Sequence, residues 1–460
     1  MFSSRCFLNP FFAIPFHYNS CVMLALNERR AIGRRLRNKA GRSAHAKWAP
    51  KKTRGDPVAA IVAANAGRVR ELVPLKMGRM AASPFAFFRG AALLMASDLA
   101  NLPKTGLHVQ ICGDAHVRNL GAYAAPEGYL VFDINDFDET IPGPWEWDLK
   151  RLATSLVLAG REAGADKSSR RNAVEEMTRS YRTSMARFAT MGVRELAKVE
   201  IRRGWKGTPI HAVLHKARRV TPKATLKSLT VAARRDSHRF HDRPPVLRHV
   251  NRKMFDDVVK SLGSYRQTLS VRYQLIFQGY EPVDVAFKIV GTGSVGTRDY
   301  ILLLFGNGVS DPLFLQVKEE VSSCYAPYIA GIAPITHEGK RVAEGQQKMQ
   351  TVSDPFLGYT TIDRRHFLVR QLADHKAAID PLELKGTALL EYALVCGEVL
   401  AKAHAHTGDP GAIAGYCGKS GVLDNALAKF AKLYADQTES DYEQFKKAIA
   451  KGRVRAVLGK

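Results

Sequence analysis

The sequence contains few cysteines, and none of them falls into a motif that would pair it or bind a metal. The six cysteines lie far apart along 460 residues, with no C-x-x-C pair and no Cys/His spacing typical of zinc. They stand at positions 6, 21, 112, 324, 396 and 417. A disulfide-stabilised scaffold and a structural zinc site are therefore not expected.

Long apolar runs are also missing. The most apolar stretch near the start, Cys6 to Leu26, is interrupted by asparagine, proline and histidine, which makes it too polar for a membrane span and irregular for a signal peptide. We therefore expect a cytoplasmic protein with no membrane span. Met23 opens a more typical polar, helix-forming segment, which leaves Met1 and Met23 as alternative starts.

Acidic residues are scarce relative to basic ones. The chain has 69 Lys and Arg against 43 Asp and Glu, which gives a formal net charge of +26 and a pI near 9.9. Such a surface attracts phosphate, nucleic acid or anionic lipid. Hydrophobic residues make up 46% of the chain and aromatic residues 9%, which is ordinary for a globular protein of two or three domains and argues against disorder, collagen or a coiled coil.

The positive charge is concentrated in two stretches. From Arg29 to Arg54 there are eleven Lys and Arg and no acid, and from Ile201 to Lys253 there are fifteen against two acids. Because runs of like charge are costly to bury, we expect exposed arms or helical faces. They are interpreted either as solvated surface or as contacts for nucleic acid or a phosphorylated partner, although few aromatic residues are interleaved with the charges.

Patterning divides the chain into four regions. We predict a basic N-terminal extension (1–55), a region with acidic motifs and a basic insertion at 201–253 (56–264), a strand-rich region (265–375) and a helical C-terminal region (376–460). The predicted helices include Met80–Leu99, Trp147–Gly160, Leu382–His404 and Asp424–Gly452. The predicted strands are Leu107–Cys112, Tyr129–Phe132, Val283–Val290, Asp299–Phe305, Pro312–Val317 and His366–Gln371.

The segment GDAHVRN at 113–119 directly follows one predicted strand, and a cluster of acids follows or ends the next. That cluster comprises Asp133, Asp136, Asp138 and Glu139. Phosphoryl transfer needs one carboxylate to orient or deprotonate a hydroxyl, and oxygen ligands for Mg²⁺. Asp114 suits the first role, and Asn119 and Asp136 suit the second. His116 is interpreted either as a hydrogen-bonding loop residue or as a contact to phosphate or metal.

Gly291, Gly293 and Gly296 form a G-x-G-x-x-G motif in VGTGSVGTRDY, with Ser294 between them. An apolar strand follows instead of a helix, so the glycines are predicted at the tip of a β-hairpin and not in a dinucleotide-binding turn. Such a tip can place backbone N–H groups over a triphosphate.

Lys318 ends the strand after this hairpin, where it can reach phosphates as a point charge. A lysine in that place usually needs an acidic partner on a nearby helix. Glu344 is the preferred partner, with Glu319 and Glu320 as alternatives.

Several long motifs resemble the bacterial family known as domain of unknown function 2252, over essentially residues 25–455. The motifs are SPFAFFRGAA, GDAHVRNLG, FDINDFDETIPGPWEWDLKRLATS, VGTGSVGTRDYILLL, LQVKEE, FLVRQLADHK and LAKAHAHTGD. More distantly, the chain resembles the protein-kinase-like superfamily, especially aminoglycoside and choline phosphotransferases. That likeness implies a catalytic base at Asp114, metal ligands at Asn119 and Asp136, and a nucleotide loop at 291–296 with Lys318 as its phosphate lysine.

The order of these motifs departs from that of kinases, because the GDAHVRN loop lies about 170 residues before the glycines and not after them. The resemblance therefore implies a circularly permuted α+β, two-lobed kinase-like fold with extra helices and a basic N-terminal arm. Residues 56–264 would belong to the C-lobe and 265–375 to the N-lobe. Asp133 competes with Asp136 as metal ligand; Asp136 is preferred because NDFDE resembles the Asp-Phe pattern of that superfamily.

We expect an ATP- and Mg²⁺-dependent phosphotransferase acting on an unidentified hydroxyl acceptor, with acidic acceptors favoured by the positive charge. One alternative is a kinase-fold nucleotidyl transferase that moves AMP. Another is a non-catalytic protein that senses nucleotides or binds nucleic acid through its basic arms.

Overall fold

The computed structural model describes residues 24–201, 208–232, 238–289, 291–372 and 376–458. Residues 1–22, interpreted above as a possible extension, lie outside this part of the chain. Helices and antiparallel strands occur in separate blocks, which confirms the predicted α+β class. Within the described residues, no helix is both long enough and apolar enough to cross a membrane.

The N-terminal block is helical. Its helices are α1 (Leu26–Arg35), α2 (Pro57–Ala63), α3 (Val73–Met80), α4 (Pro84–Gly90) and α5 (Ala92–Leu99). The single helix predicted over 80–99 is therefore two helices. The first, α4, begins after Ser83, whose hydroxyl accepts a hydrogen bond from the Ala86 N–H at 3.1 Å and caps the helix. The break between α4 and α5 is at Ala91, whose φ of −120° and ψ of 35° are not helical.

Four short strands and a long helical hairpin follow. They are β1 (His108–Ile111), β2 (Leu120–Ala124), β3 (Leu130–Ile134), β4 (Ile141–Pro144), α6 (Trp145–Glu162), α7 (Lys167–Phe188) and the short α8 (Val193–Leu196). β1 pairs with β4, and β2 pairs with β3, in both cases antiparallel. β1 packs on α6, which is buried on all sides from Trp145 to Gly160 in the largest hydrophobic core.

The next block links the helical part to the main sheet. It contains α9 (Pro209–Ala217), α10 (Pro222–Leu229), β5 (Thr230–Ala232), β6 (His238–Phe240), β7 (Leu247–His249), α11 (Arg252–Arg266) and α12 (Val271–Phe277). Part of the basic insertion thus joins the main sheet, because β7 pairs with the first long strand through Leu247 and Lys288.

The last block holds the long strands and the C-terminal helices. The strands are β8 (Glu281–Lys288), β9 (Asp299–Phe305), β10 (Pro312–Glu319), β11 (Gly358–Ile362), β12 (Arg365–Gln371) and β13 (Ala377–Ala378). The helices are α13 (Glu338–Met349), α14 (Ala388–Thr407), α15 (Pro410–Cys417) and α16 (Val422–Ala450). Six strands form one antiparallel sheet in the order β11-β12-β10-β9-β8-β7, and β13 joins β2 and β3.

The central strand β9 is buried along its whole length, as its continuous apolar sequence predicts. Leu302 and Leu304 face the core that α11 and α12 complete, whereas Ile301 and Leu303 face a second core that includes Phe240. The sheet is therefore covered on both faces.

The first basic stretch packs on the body of the protein and is not a free arm, but six of its eleven cations are exposed, as expected for solvated helical faces. Arg29 forms an ion pair with Asp409 at 2.8 Å, and Arg37 donates to the backbone oxygen of Tyr416 at 2.9 Å. Arg54 binds two acids, Asp98 and Asp441. The charge of this stretch is thus partly neutralised by carboxylates and helix-end carbonyls that are distant in sequence.

Candidate functional site

The loop between β1 and β2 is held in place by a buried carboxylate. Asp148, in the first turn of α6, accepts hydrogen bonds from the Cys112 N–H at 2.7 Å and the Gly113 N–H at 2.9 Å. Its Oδ2 also lies 3.3 Å from Nε2 of His404. Gly113 has φ of +80°, and a Cβ there would collide with the backbone oxygen of Glu139, so only glycine fits.

Asp114 follows directly and projects from this braced loop. Its Oδ1 accepts a 2.5 Å hydrogen bond from Nε of Arg151, a fully buried residue of α6. Nη2 of Arg151 also donates to the backbone oxygen of Phe88 at 3.0 Å. Burial raises the pKa of Asp114 to about 6, although Arg151 acts in the opposite direction. Asp114 is therefore a positioned carboxylate that can exchange a proton near neutral pH.

His116 lies beside Asp114 and is neutral. Its Nε2 is 3.7 Å from Oδ2 of Asp114 and accepts a 3.4 Å hydrogen bond from Nε of Arg89. Burial, reinforced by the charges of Arg89 and Arg151, lowers the pKa of His116 well below its ordinary value. His116 therefore acts as a hydrogen-bonding group of the loop.

Asn119 and Asp136 come from adjacent loops, as predicted. The backbone N–H of Asn135 donates to the backbone oxygen of Asn119 at 2.8 Å, and this hydrogen bond connects the end of β3 to the turn before β2. The side-chain Nδ2 of Asn119 donates to the Asp114 backbone oxygen at 2.8 Å, so its Oδ1 remains to serve as an acceptor or ligand. Burial, followed by the charge of Asp138, raises the pKa of Asp136.

Three acids here carry buried oxygens with no hydrogen-bond partner among the described residues: Oδ1 of Asp136, Oδ1 of Asp138 and Oε1 of Glu320. Nζ of Lys318 lies 3.9 Å from this oxygen of Asp136 and 4.0 Å from that of Glu320, which is too far for a hydrogen bond, so both oxygens keep the capacity to bind a further cation. No three His, Cys, Asp or Glu side chains in the described ranges converge closely enough to hold a metal by themselves. Mg²⁺ usually takes only one or two protein carboxylates and completes its shell with phosphate oxygens and water, so Asp136 and Asn119 fit that requirement.

Lys318 lies next to these acids but not next to Glu344. It forms an ion pair with Asp138, and its Nζ is 3.9 Å from Asp136 and 4.0 Å from Glu320. Glu344 is exposed and pairs on its own helix with Lys340 and Lys348, so its prediction as the partner of Lys318 is wrong. The loop after β3 supplies the main counter-charge instead, and of the alternatives named above only Glu320 approaches.

Asp133 does not reach the site. It lies in β3, is buried, and forms an ion pair with Lys402 of α14. The alternation of side chains along β3 turns this carboxylate into the helical core, whereas Asp136 lies beyond the end of the strand. Asp133 is therefore corrected from a possible metal ligand to a structural residue.

The glycine motif forms the tip of a hairpin, as expected. β8 and β9 pair antiparallel up to Phe287 and Tyr300, and the loop between them includes Gly291, Gly293 and Gly296. Gly291 and Gly296 adopt positive φ, at +67° and +92°. Gly291, Gly293 and Ser294 line the same cavity as Asp114, whereas Gly296 lies behind them and accepts a hydrogen bond from Val69.

These elements enclose a cavity of about 320 Å³, which is within the range of small-molecule sites. Its lining includes predicted residues from two distant segments of the chain: Asp114, His116, Asn119, Asp136, Gly291, Gly293 and Ser294. Lys318 does not line the cavity; it lies behind the wall, in contact with Asp136 and Asp138.

Sequence reasoning missed one wall of this cavity. Arg68, Lys76 and Arg89 line it from the N-terminal helical block. They are single cations in helical or turn sequence, and only the fold shows that they share a cavity. The conspicuous segment SPFAFFRGAA, which carries Arg89, was the one available signal.

In the kinase-like resemblance, the backbone near 370–372, at the end of β12, is the candidate for contact with the adenine edge, but two of its N–H groups are already engaged. The Gln371 N–H donates to Asp354 at 2.5 Å and the Leu372 N–H to the Phe314 oxygen at 2.9 Å. Neither of these two backbone N–H groups is free to bind a base.

Taken together, the architecture is that of a mixed helix-and-sheet protein with a polar cavity between its antiparallel sheet and its helical part. The chain belongs to the family described as "Uncharacterized protein conserved in bacteria (DUF2252)", whose model matches residues 68–448. No curated protein and no solved structure matches the chain.

Proposed function

We propose that this protein is an ATP- and Mg²⁺-dependent phosphotransferase with a circularly permuted kinase-like arrangement. One observation carries the proposal: a strand-end acid, an Asn and a second acid share a cavity with a glycine hairpin encoded about 170 residues later. In protein kinases the corresponding parts are a catalytic Asp, a metal-binding Asn and Asp, and a glycine-rich loop over the phosphates. A permuted order would account for the glycine hairpin following the acidic loops in the chain instead of preceding them.

Asp114 is assigned as the general base. Its carboxylate is fixed by Arg151 and its loop by Asp148, so it is held ready to accept the proton of an acceptor hydroxyl. His116 stays neutral beside it and limits its rotation.

Asn119 and Asp136 would hold Mg²⁺, which when bound neutralises charge on the transferring phosphoryl group. The orphaned Oδ1 of Asp136 supports this assignment. Lys318 holds Asp138 and fixes the acidic loop relative to β10. Gly291, Gly293 and Ser294 would cover the phosphates.

Turnover of ATP in the presence of Mg²⁺, followed from about pH 5 to pH 8, tests this proposal. ADP should be the nucleotide product, with water taking the phosphoryl group in place of the unidentified acceptor. The value of kcat/KM should rise with pH to a plateau with a midpoint near 6, because Asp114 accepts a proton only when ionised and burial raises its pKa in the free protein to about 6. His116 should add no inflection in this range, since its pKa lies well below the ordinary value. A flat profile would argue against Asp114 as base, and AMP as the product would favour nucleotidyl transfer.

A further inference from the structure

Three cations from the N-terminal helical block face the same cavity as the acids. Arg68 precedes α3, Lys76 lies on α3 and Arg89 on α4, and all three line the cavity. Lys76 is only 2% exposed. The wall they form is called the cationic wall below.

No carboxylate in the described part of the chain forms an ion pair with any residue of the cationic wall. Arg68 donates to the Val295 backbone oxygen at 2.7 Å, Lys76 to Oδ1 of Asn65 at 3.2 Å, and Arg89 to His116. Most other buried cations of the described residues have a carboxylate partner, as Arg151, Lys318, Arg341 and Lys402 do. Lys150 is the exception, and its ammonium lies over the ring of Phe430 in the core and not in a cavity.

Lys76 is buried and Arg68 and Arg89 are half-buried, and nearby acids such as Glu139 and Asp114 attract them without forming a direct ion pair. Holding three cations around one cavity in this way is unfavourable for the free protein. Burial, followed by the charge of Arg68, lowers the pKa of Lys76 to about 7. Burial, followed by the charge of Arg118, lowers that of Arg89 to about 10. An anion bound between these side chains would relieve both effects, so the cluster has the properties of a binding site and not of a structural element.

The glycine hairpin is attached to the same block. The Val69 N–H donates to the Gly296 oxygen at 2.7 Å, and Arg79 donates to the Gly291 oxygen at 2.5 Å. Leu72 and Leu75 pack against Val295 in a small core. The cationic wall and the hairpin therefore form one continuous surface over the cavity.

We propose that Arg68, Lys76 and Arg89 bind the phosphate chain of a polyphosphate ligand, so that the N-terminal helices supply the phosphate-binding cations. Lys318 has that role in the sequence-based assignment, but its ammonium is already engaged by Asp138. Three converging positive charges suit a chain of several phosphates better than a single monovalent anion. The identification of this chain as the triphosphate of ATP rests on the proposed function; the site itself requires only the phosphates.

Calorimetric titration with two probes tests the site: inorganic tripolyphosphate without Mg²⁺, and ATP with Mg²⁺. Lys76→Met and Arg89→Gln should each weaken binding of both probes by about 10- to 100-fold, because each removes a charge-assisted hydrogen bond to phosphate. Arg70→Gln is the matched control, because Arg70 is an exposed cation two residues from Arg68. The Arg70→Gln protein should bind both probes as the wild type does.

Melting of the Lys76→Met protein separates a phosphate-binding lysine from a structural one, because loss of a structural lysine would lower the Tm of the ligand-free protein. Removing an unpaired buried charge with a side chain of similar shape should raise the Tm of the ligand-free Lys76→Met protein while its ligand-induced shift is lost. A lowered Tm together with unchanged affinity would overturn the proposal.

The two probes separate this proposal from the proposed function. Tripolyphosphate binding that depends on Lys76 and Arg89, without any binding of ATP and Mg²⁺, would support the cationic wall and contradict an ATP-dependent reaction. Absence of tripolyphosphate binding to the wild type, or equal binding by the variants, would overturn the cationic wall as a phosphate site whatever ATP does.

Discussion

Replacing Asp114 by Asn is expected to lower turnover of ATP by about 10²- to 10⁴-fold, the usual contribution of a positioned general base. The amide keeps the shape of the carboxylate and can still accept the hydrogen bond from Arg151, so the loop should retain its position. What is lost is the ability to take a proton. The measurement is initial velocity at saturating ATP and Mg²⁺, with ADP quantified against time.

Binding of ATP with Mg²⁺ should be unchanged in Asp114→Asn. Unchanged binding would show that the variant is folded and that its lower turnover comes from the loss of the general base. The Asp114→Asn protein should be stabilised by ATP with Mg²⁺ about as much as the wild type is, because Asn119, Asp136 and the glycine hairpin are unchanged. Asp242→Asn, at an exposed position in the basic insertion, is the matched control and should leave turnover unaltered. Equal turnover by wild type and Asp114→Asn would remove Asp114 from the catalytic role.

Replacing Arg151 by Met should lower the free energy of unfolding by about 3–5 kcal/mol, the usual cost of breaking a buried ion pair from one side. Arg151 is completely buried, and its guanidinium contacts Asp114, the Phe88 oxygen and the Phe88 ring. Met can fill part of the space beside Met95 but leaves the carboxylate of Asp114 without its counter-ion. Denaturant unfolding measures the difference, and Arg171→Met, at a surface position on α7, should stay within about 0.5 kcal/mol of the wild type.

The deficit of Arg151→Met should also depend on pH. Burial already places the pKa of Asp114 above its value in an unfolded chain, and removal of Arg151 raises it further. Ionised Asp114 is then penalised only in the folded state, so the deficit should shrink as the pH falls and grow as the pH rises through the folded pKa. A deficit that is constant across this range would mean that Arg151 acts through packing alone. The double variant Asp114→Asn/Arg151→Met should recover part of the loss.

The long strands were predictable because their sequences are unambiguous. β9 has the bounds predicted from its apolar run, and α6 and α16 follow helical periodicity over many residues. β2 was missed because its sequence, LGAYA, contains a glycine and two alanines, and its pairing with β3 and β13 comes from tertiary contacts.

The candidate site also contains residues that the sequence predicts and residues that it does not. Asp114, Asn119 and Asp136 were found because strand-end loops with such residues are rare and informative, and their convergence follows from pairing of β2 with β3. The partner of Lys318 was mistaken because a helix after a strand suggested Glu344, whereas Asp138 reaches the lysine from 180 positions away in the chain. Only the three-dimensional packing of α3 and α4 could reveal the cationic wall.

The central claim is that the cavity binds ATP together with Mg²⁺ through Asp136, and melting of the purified protein tests it most directly. The account predicts a rise in Tm that requires both ATP and Mg²⁺ and that is lost in Asp136→Asn, while the ligand-free variant remains folded. A folded wild-type protein with no shift, or an Asp136→Asn protein with an undiminished shift, would contradict it.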